Sequence, residues 1–600
     1  MLEATPTKNR LQLRYGDFST LTEALDYAAQ GDTGYNFYNG KGQLDFVLPY
    51  AQLREDAVAI AKRLLGLKIE RGSRVALVAD TDPGFLQMFY ACQYAGMVPV
   101  PLPASLRLGG HATYVAQLKR LLMSCRASVA IAPEAYLSFL REAAEELPLS
   151  YIGSADSLRS LPASREDLVP SGAEELAYLQ YTSGSTRFPR GVMITNQTVM
   201  NNLGNIVRNG VKIRPGDRAI SWLPYYHDMG LVGLVLSPMA AQVSVDYLRT
   251  RDFAMRPRLW LSLITKNKAT ISFSPPFGFE LCMQRLREKD LSNYDLRSWR
   301  VAGVGAETIR AQPLLAFSEM LAPSGFNPGA FLACYGMAEC SLAVSFSPLG
   351  QGIQVDEVEA ETLAVTQRAF PALKPTNCAA NAKEFVKCGF ALPEHSVEVR
   401  DEKGNTLPDR HVGTLYVKGP SVMSGYFGEP ELTKEVLSAD GWLNTGDLAY
   451  IADASVIITG RKKDLIIING RNIWPQDLEY LAESQPEVRT GDASAFSVSD
   501  DDGEDKAVLV IECRISDPAR RSALSEELQG AVGRELGIDC FIELVPRNTL
   551  PRTTSGKLSR SGAQRDFLQR VANGETEPPA INIAAYNDPH RMISAAVGHR

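Results

Sequence analysis

Arg74-Val-Ala-Leu-Val-Ala79, followed by the helical run Pro83–Ala95 and by Met97-Val-Pro-Val-Pro-Leu102, decides the fold class of this chain. The two apolar runs have the length of buried strands, and the segment between them is long enough for a helix. The unit recurs with a helical pattern from Leu118 to Cys125 and the strand Ser128-Val-Ala-Ile-Ala132. Strand, helix and strand in alternation predict a parallel sheet flanked by helices. Such sheets bind ligands beyond the carboxyl ends of their strands, where we expect the chemistry.

The regions outside this unit divide the chain further. A helical period also covers Tyr50 to Leu67, and the α/β pattern continues to about Ser347. The segment from Val355 to Lys387 has weak periodicity and nearby prolines, which indicates an insertion. Short, turn-rich strands from Gly413 predict a distorted β-barrel, and a new α/β pattern begins beyond Thr459.

We therefore predict an α/β protein with two domains and a tail. The large N-terminal domain (1–462) holds parallel α/β subdomains and the distorted barrel, with the insertion at about 353–387. A small α+β C-terminal domain (463–575) follows, and the polar, unpatterned tail (576–600) is expected to be disordered.

Length and composition agree with this division and exclude some function classes. A chain of 600 residues exceeds the roughly 250–300 residues of one core. The net charge of −7 argues against binding nucleic acid through bulk positive charge. No secretory signal is visible, and the apolar stretch Met229 to Val245 is short for a membrane span. Nine scattered cysteines without a CxxC pair fit a reducing cytoplasm better than a disulfide or zinc framework.

The segment Tyr181-Thr-Ser-Gly-Ser-Thr-Arg-Phe-Pro-Arg-Gly191 combines hydroxyl residues, glycine and arginine after an apolar run. Small residues let backbone N–H groups approach a polyanion, and Arg187 or Arg190 can neutralise its charge. The spacing differs from the usual P-loop. On its own, the segment fits a flexible surface loop equally well.

Four further segments carry weaker signals, and each has an ordinary structural alternative. Glu339, which ends Cys334-Tyr-Gly-Met-Ala-Glu339, is a candidate Mg²⁺ ligand or an exposed residue at a helix start. Asp447, in Gly441-Trp-Leu-Asn-Thr-Gly-Asp447, is a candidate for a ribose diol or caps a turn. Thr459 to Pro475 places a strand of four apolar residues, expected to be buried, between two charged turns, and Lys557 ends a polar loop that begins at Leu550.

Together and in this order, the five segments resemble the adenylate-forming superfamily of acyl-CoA synthetases, luciferases and peptide-synthetase adenylation domains. The resemblance runs from about Tyr50 to Arg560. It is greatest to the fatty acyl-AMP ligases, in the wording of Gly460 to Glu479 and in the position of the insertion. Arg187 and Arg190 replace the glycine and lysine that are usual in the phosphate loop.

The resemblance implies that a fatty acid is activated with ATP to acyl-AMP, with release of pyrophosphate. Lys557 and His227 are then expected beside the reacting carboxylate and α-phosphate, and Glu339 with Thr182 is expected to hold Mg²⁺. The residues expected to bind ATP or AMP are Thr182, Ser183, Gly184, Ser185, Thr186, Arg190, Gly305, Ala306, Glu307, Tyr335, Gly336, Met337, Asp447 and Arg461. The candidates for lining an acyl pocket, which sequence does not distinguish from ordinary core, are Trp222, Met229, Phe273, Phe277 and Phe279.

The resemblance further implies acyl transfer to the phosphopantetheine thiol of an acyl carrier protein. It also implies that the C-terminal domain (463–575) is a mobile lid, which rotates about Lys463 before this transfer. Carrier proteins are typically acidic, so a basic docking face is expected, with Arg552, Arg560, Arg565 and Arg570 as candidates. Three alternatives stay open: a fatty acyl-CoA synthetase using free coenzyme A, an amino-acid-activating domain, and a non-catalytic relative that binds only lipid or carrier protein.

Overall fold

The computed structural model describes residues 2–7, 10–104, 110–182, 189–372, 382–468, 471–499, 505–553 and 558–576. The predicted tail therefore lies outside the described residues from 577 onward. The first elements are α1 (Leu21–Ala28), β1 (Gly34–Tyr38), β2 (Leu44–Pro49), α2 (Tyr50–Gly66), β3 (Arg74–Ala79), α3 (Pro83–Ala95), β4 (Val98–Pro103), α4 (His111–Ser124), β5 (Ala127–Ile131), α5 (Glu134–Ala144), β6 (Tyr151–Gly153) and α6 (Ala155–Arg159).

The middle of the chain continues the alternation of strands and helices. Its elements are β7 (Leu176–Tyr181), β8 (Gly191–Thr195), α7 (Asn196–Asn205), β9 (Arg218–Ser221), α8 (Asp228–Leu231), α9 (Ser237–Ala240), β10 (Ser244–Leu248), α10 (Thr250–Met255), α11 (Arg258–Asn267), β11 (Ile271–Ser274), α12 (Pro276–Met283), β12 (Val301–Val304), α13 (Ala311–Leu321), β13 (Phe331–Gly336) and β14 (Ala343–Phe346).

The remaining elements build the insertion, a β-rich region and the C-terminal part. They are β15 (Val355–Glu359), α14 (Ala360–Thr366), β16 (Ala382–Val386), β17 (Phe390–Ala391), β18 (Ser396–Arg400), β19 (Gly413–Lys418), α15 (Pro430–Val436), β20 (Leu443–Ala452), β21 (Ser455–Arg461), β22 (Ile466–Ile468), β23 (Arg471–Ile473), α16 (Pro475–Glu483), β24 (Ala493–Ser499), β25 (Asp505–Glu512), α17 (Pro518–Leu536), β26 (Cys540–Val545) and α18 (Arg560–Ala572).

Two parallel sheets confirm the predicted α/β class. The strands that decided the class form the four-stranded sheet β4-β3-β5-β6, in which every neighbouring pair is parallel. A nine-stranded sheet has the order β17-β14-β13-β12-β11-β9-β10-β1-β2, and its pairs from β13 to β1 are parallel. Helices cover the parallel strands, most of which are buried on both faces, as is usual for parallel sheets.

The β-rich region differs in detail from the barrel that its turn-rich sequence suggests. Strands β18-β19-β20-β21 form a four-stranded antiparallel sheet, and no pairing within the described residues closes it into a barrel. The insertion is an antiparallel hairpin, β15 with β16, and it encloses the short helix α14.

The C-terminal part has a core of its own, formed by the sheet β24-β25-β26 with α16 and α17. The apolar run Leu465 to Ile468 was expected to be a buried strand, and this was wrong. Only Ile466 is buried, and the side chain of Ile467 is 51% exposed, because β22 and β23 form a two-stranded ribbon of which only one face packs on the C-terminal core. In the described part of the chain, no helix is both long and apolar enough to cross a membrane.

Candidate active site

A cavity of about 1210 Å³ lies at the carboxyl ends of the parallel strands β11, β12 and β13. The loops that leave these strands carry Ala306 and Glu339 to its wall, and the loop after β9 adds His227. The opposite wall includes Ser497, Asp505 and Gln564 from the C-terminal part. The cavity therefore lies where open parallel sheets bind ligands, and both parts of the chain enclose it.

Asp447 is fixed from two sides. It stands opposite Arg461 in the antiparallel pair β20 and β21, and its Oδ1 lies 3.3 Å from the Arg461 Nε. The hydroxyl of Tyr335, at the end of β13, donates to the other carboxylate oxygen at 2.7 Å. Burial raises the pKa of Tyr335, and the Asp447 charge raises it further. Three predicted nucleotide-binding residues thus form one connected polar group.

Glu339 and Arg190 meet on the same side of the cavity. Tyr426 donates a 2.8 Å hydrogen bond to the Glu339 Oε1, and the guanidinium carbon of Arg190 lies 5.3 Å from the centre of the Tyr426 ring. Burial raises the pKa of Glu339, so a nearby cation would stabilise its charged form. Sequence reasoning missed Tyr426, whose only local signal is the pair of glycines on either side of Tyr426-Phe427.

The phosphate-loop prediction is described only at its two ends. Thr182 donates its backbone N–H to the Arg190 carbonyl at 3.0 Å, which closes the β7–β8 hairpin below the loop. Both residues line the cavity. Ser183, Gly184, Ser185 and Thr186, like Lys557, lie outside the described residues.

The strand end at Val304 brings the backbone close to β13. A Cβ added at Gly305 would lie 2.8 Å from the Cys334 Sγ, so a larger residue would push the two strands apart. Ala306 follows with a φ of 69°, in the left-handed region, and lines the cavity together with Gly336 and Met337. Glu307 is half-buried at the same turn. A flat ring could lie against this exposed backbone.

His227 caps helix α8. Its Nδ1 lies 2.6 Å from the Asp228 Oδ1 and 3.3 Å from the backbone nitrogen of Met229. The ring is half-buried and lines the cavity. These contacts orient the imidazole, which is one requirement for a group that acts on substrate.

The predicted acyl-pocket residues separate into two groups. Met229 and Phe273 line the cavity, next to Leu342 and Phe346. Trp222 stacks on Phe253 with ring centres 3.8 Å apart. Phe277 lies behind Trp222 at 5.7 Å, and Phe279 is fully buried among the aromatic rings of Trp260, Trp299, Phe317 and Phe331. Trp222, Phe277 and Phe279 thus belong to aromatic packing and are not among the residues that line the cavity.

Lys463 lines the cavity in the turn between β21 and β22. Burial lowers its pKa to about 8, and the positive charge of Arg461 contributes to the shift. Arg190, Arg461 and Lys462 also line the cavity, so Lys463 is one of several basic groups there.

Three of the four arginines expected to form a basic docking face are engaged within the chain. Arg560 lies between Glu479 and Asp464, at 2.7 and 3.0 Å. Arg570 pairs with Glu543, and Arg552 with Asp492. Sequence could not show this, because each partner is distant along the chain.

Comparison with known proteins agrees with this geometry. The model of the AMP-binding enzyme family matches residues 37–427. A Caulobacter vibrioides relative that carries an acyl-CoA synthetase name is 45% identical, covering 94% of this chain and 98% of its own. A relative from Moorena producens, the medium-chain-fatty-acid–[acyl-carrier-protein] ligase JamA, is 31% identical, covering 92% of this chain and 96% of its own.

A solved structure from work on the fatty acyl-adenylate ligases of E. coli and L. pneumophila matches with a TM-score of 0.89 and 47% identity. The match covers 94% of this chain and all of that one. This agreement in fold and sequence extends through the C-terminal part. The chain belongs to the AMP-binding enzyme family and is an adenylate-forming ligase, similar to the fatty acyl-AMP ligases.

Proposed function

We propose that this ligase activates a fatty acid as acyl-AMP and then transfers the acyl group to the phosphopantetheine thiol of an acyl carrier protein. The observation that supports a fatty acid is the composition of the cavity. Its basic end holds Arg190 and Arg461, whereas Met229, Phe273 and Phe346 make another part of its wall apolar. One cavity thus offers room for a nucleotide and for an aliphatic chain.

In the first step, a carboxylate oxygen of the fatty acid attacks the α-phosphorus of ATP, and the bond to the β-phosphate oxygen breaks to release pyrophosphate. Two anions must approach each other, so fixed positive charge lowers the barrier. We assign this role to Lys557, with His227 orienting the carboxylate. Asp447 accepts hydrogen bonds from the ribose, and Arg461 and Tyr335 hold Asp447 in place.

Adenine is assigned to the turn of Gly305, Ala306 and Glu307 and to the backbone at Gly336 and Met337. The phosphates are assigned to Thr182, the adjoining residues 183–186 and Arg190. Thr182, Arg190, Ala306, Gly336 and Met337 line the cavity, which supports these roles, and each is open to substitution.

Glu339, with Thr182, is the proposed holder of Mg²⁺. Within the described residues, no cluster of three or more His, Cys, Asp or Glu could enclose a metal ion alone. This fits Mg²⁺, which is commonly bound by one or two carboxylates together with substrate phosphates. When bound, the ion neutralises charge on the departing phosphates.

In the second step, the thiol sulfur attacks the acyl carbon, AMP leaves, and the thiol proton passes to solvent. We propose that residues 463–575 are the lid that moves between the steps, with Lys463 at the hinge. A relative named as an acyl-carrier-protein ligase supports the carrier as acceptor. The acyl-CoA synthetase name of another relative favours coenzyme A as the second candidate.

Incubation with ATP, Mg²⁺ and a mixed set of fatty acids tests both steps. We expect acyl-AMP that persists when coenzyme A is added and disappears when a holo-acyl carrier protein is added. Conversion to acyl-CoA would support the second candidate. For Lys557→Ala we expect the adenylation rate to fall by about 10²–10³, as on loss of a preorganised donor. Adenylation at the wild-type rate would contradict its assignment.

A further inference from the structure

A group of arginines and one lysine lies on both sides of the junction between the two parts of the chain. On the N-terminal side, a cavity of about 630 Å³ is lined by Arg256, Arg258, Arg285, Arg287 and Lys289. On the C-terminal side, Arg489 interacts electrostatically with Arg547, Arg514 and Arg285. We call these eight residues the cationic surface.

The positive charge of this surface is largely uncompensated. Arg258 pairs with Asp290 at 2.9 Å, and Arg547 contacts Asp492 at 3.6 Å. Within the described residues, no carboxylate forms an ion pair with Arg285, Arg287, Lys289, Arg489 or Arg514. Burial lowers the pKa of Arg489, the neighbouring arginines lower it further, and the nearby Asp492 charge opposes them in part. In a chain of net charge −7, such a concentration of like charge marks a surface suited to an anionic partner.

The composition of the surface is that of a protein interface. Seven of its eight cations are arginines, and the side chain of Met255 at the cavity wall is 53% exposed. Arginine and methionine are enriched at protein interfaces, where lysine is depleted. Among the residues that the structure describes, the buried Nε of Arg547 has no hydrogen-bond partner. An acidic helix with an apolar residue would match both the charge and Met255.

The position of the surface relates it to the cavity. Phe277, near the start of helix α12, packs against Trp222, and Arg285 lies two residues after the end of this helix. Eight helical residues span about 12 Å, so Arg285 lies roughly one short helix away from Trp222. Because Arg285 and Arg489 belong to different parts of the chain, a partner that touches both would respond to their relative position.

We propose that the cationic surface is the docking site for the acidic acyl carrier protein. This proposal rests on the carrier-protein step of the proposed function. It replaces the expected docking face, of which Arg552, Arg560 and Arg570 are held in internal ion pairs. Arg285 and Arg489 form its centre, since both are exposed and their charges interact across the two parts of the chain.

The test uses the full chain, preformed acyl-AMP and the holo-acyl carrier proteins of the same organism. For Arg285→Glu combined with Arg489→Glu, we expect the KM for the carrier to rise about tenfold or more, because like charges then face each other. Its dependence on ionic strength should also weaken. Arg165→Glu, at an exposed arginine before β7, is the matched control and should leave the carrier KM unchanged.

Pyrophosphate exchange and thermal unfolding report whether the double variant retains its site and fold. If charge reversal impairs either exchange or folding, the variant Arg285→Gln with Arg489→Gln is used instead, and a smaller rise in the carrier KM is expected.

An unchanged carrier KM and salt dependence, with an active wild-type chain, would overturn the docking site alone. A wild-type chain that acylates none of these carriers would overturn the proposed acceptor and the docking site together. A rise in the KM for coenzyme A without one for the carrier would assign the surface to that cofactor's phosphates, against the proposal.

Discussion

At the scale of single residues, Asp447 carries the most specific expectation about the nucleotide. Its carboxylate is held by Arg461 and Tyr335, so it can present a fixed acceptor without reorganising. For Asp447→Asn, we expect the KM for ATP to rise about 10–100-fold, because hydrogen bonds to a charged group contribute about 1.5–3 kcal/mol. Steady-state pyrophosphate exchange measures it. Asp453→Asn, at an exposed carboxylate paired with Lys387, is the control. An ATP KM within twofold of wild type would remove Asp447 from the site.

Lys463 should titrate far below an ordinary lysine. Burial and the charge of Arg461 disfavour its ammonium form, which lowers the pKa to about 8. At pH 8, about half of Lys463 is therefore neutral and nucleophilic, whereas a lysine of pKa about 10.4 is almost fully protonated. We expect an amine-acylating reagent to label Lys463 first, with a midpoint near pH 8, as followed by peptide mass mapping.

ATP supplies the check on this titration. Bound phosphates would favour the charged amine, so saturating ATP should slow the labelling and move its midpoint upward. Labelling of Lys463 that follows the same pH profile as the average lysine would contradict the lowered pKa.

At this scale, sequence predicts the types of the site residues but not their contacts. The motif around Gly446-Asp447 and the basic run at Arg461 suggest the residue types, but not their contact. Asp447 meets Arg461 because the register of β20 and β21 places them opposite each other. No motif marks Tyr426, because its hydrogen bond to Glu339 joins two residues that are 87 positions apart in the sequence.

At the scale of elements, the β15–β16 hairpin reaches the C-terminal part through Lys383. The Lys383 ammonium pairs with Asp477 of α16 and lies 3.9 Å from the centre of the Trp474 ring. Phe385 of the same strand also packs against Trp474. The broken periodicity predicted an insertion here, but strand pairing and a contact nearly one hundred positions away depend on tertiary packing.

We expect Lys383→Met to loosen this contact while keeping the length of the side chain. A lost charge-assisted hydrogen bond of about 1.5 kcal/mol corresponds to about a tenfold change in the equilibrium that holds α16 in place. Hydrogen exchange across residues 475–483 should accelerate by about that factor. If the insertion restrains the lid, acyl-CoA formation should increase as well.

Lys387→Met is the matched control for this element. Lys387 follows the same strand but pairs with Asp453, in the N-terminal part. We expect wild-type exchange and wild-type use of coenzyme A in this variant. Equal exchange rates at α16 in Lys383→Met and Lys387→Met would show that the hairpin does not hold the C-terminal part.

At the scale of the whole molecule, most of the apolar core lies on one side or the other of residue 463, and one smaller cluster, from Val358 to Trp474, crosses it. One large cluster runs from Leu21 to Val456, and two others use only residues from Ile466 to Leu568. The new α/β pattern beyond Thr459 predicts a C-terminal part with its own strands and helices. It could not predict the interface, where Arg310 reaches Glu483 at 3.0 Å and Gln476 reaches the Thr459 carbonyl at 2.7 Å.

Ending the chain after Lys462 should therefore separate ATP binding from adenylation. The proposed nucleotide contacts that are described, among them Arg190, Tyr335, Asp447 and Arg461, all precede this point. Lys557 does not, so we expect titration calorimetry to detect ATP binding while acyl-AMP formation falls by at least about 10²–10³. A chain ended after Thr576 is the control and should keep wild-type activity.

Comparison with full-length Lys557→Ala then shows which residues account for the loss of adenylation rate. Equal rates in the two proteins assign the loss to Lys557 alone, because the rest of the C-terminal part would then contribute nothing. A slower truncated chain assigns the difference to the wall around Ser497 and Gln564. Wild-type adenylation by residues 1–462 would refute the lid.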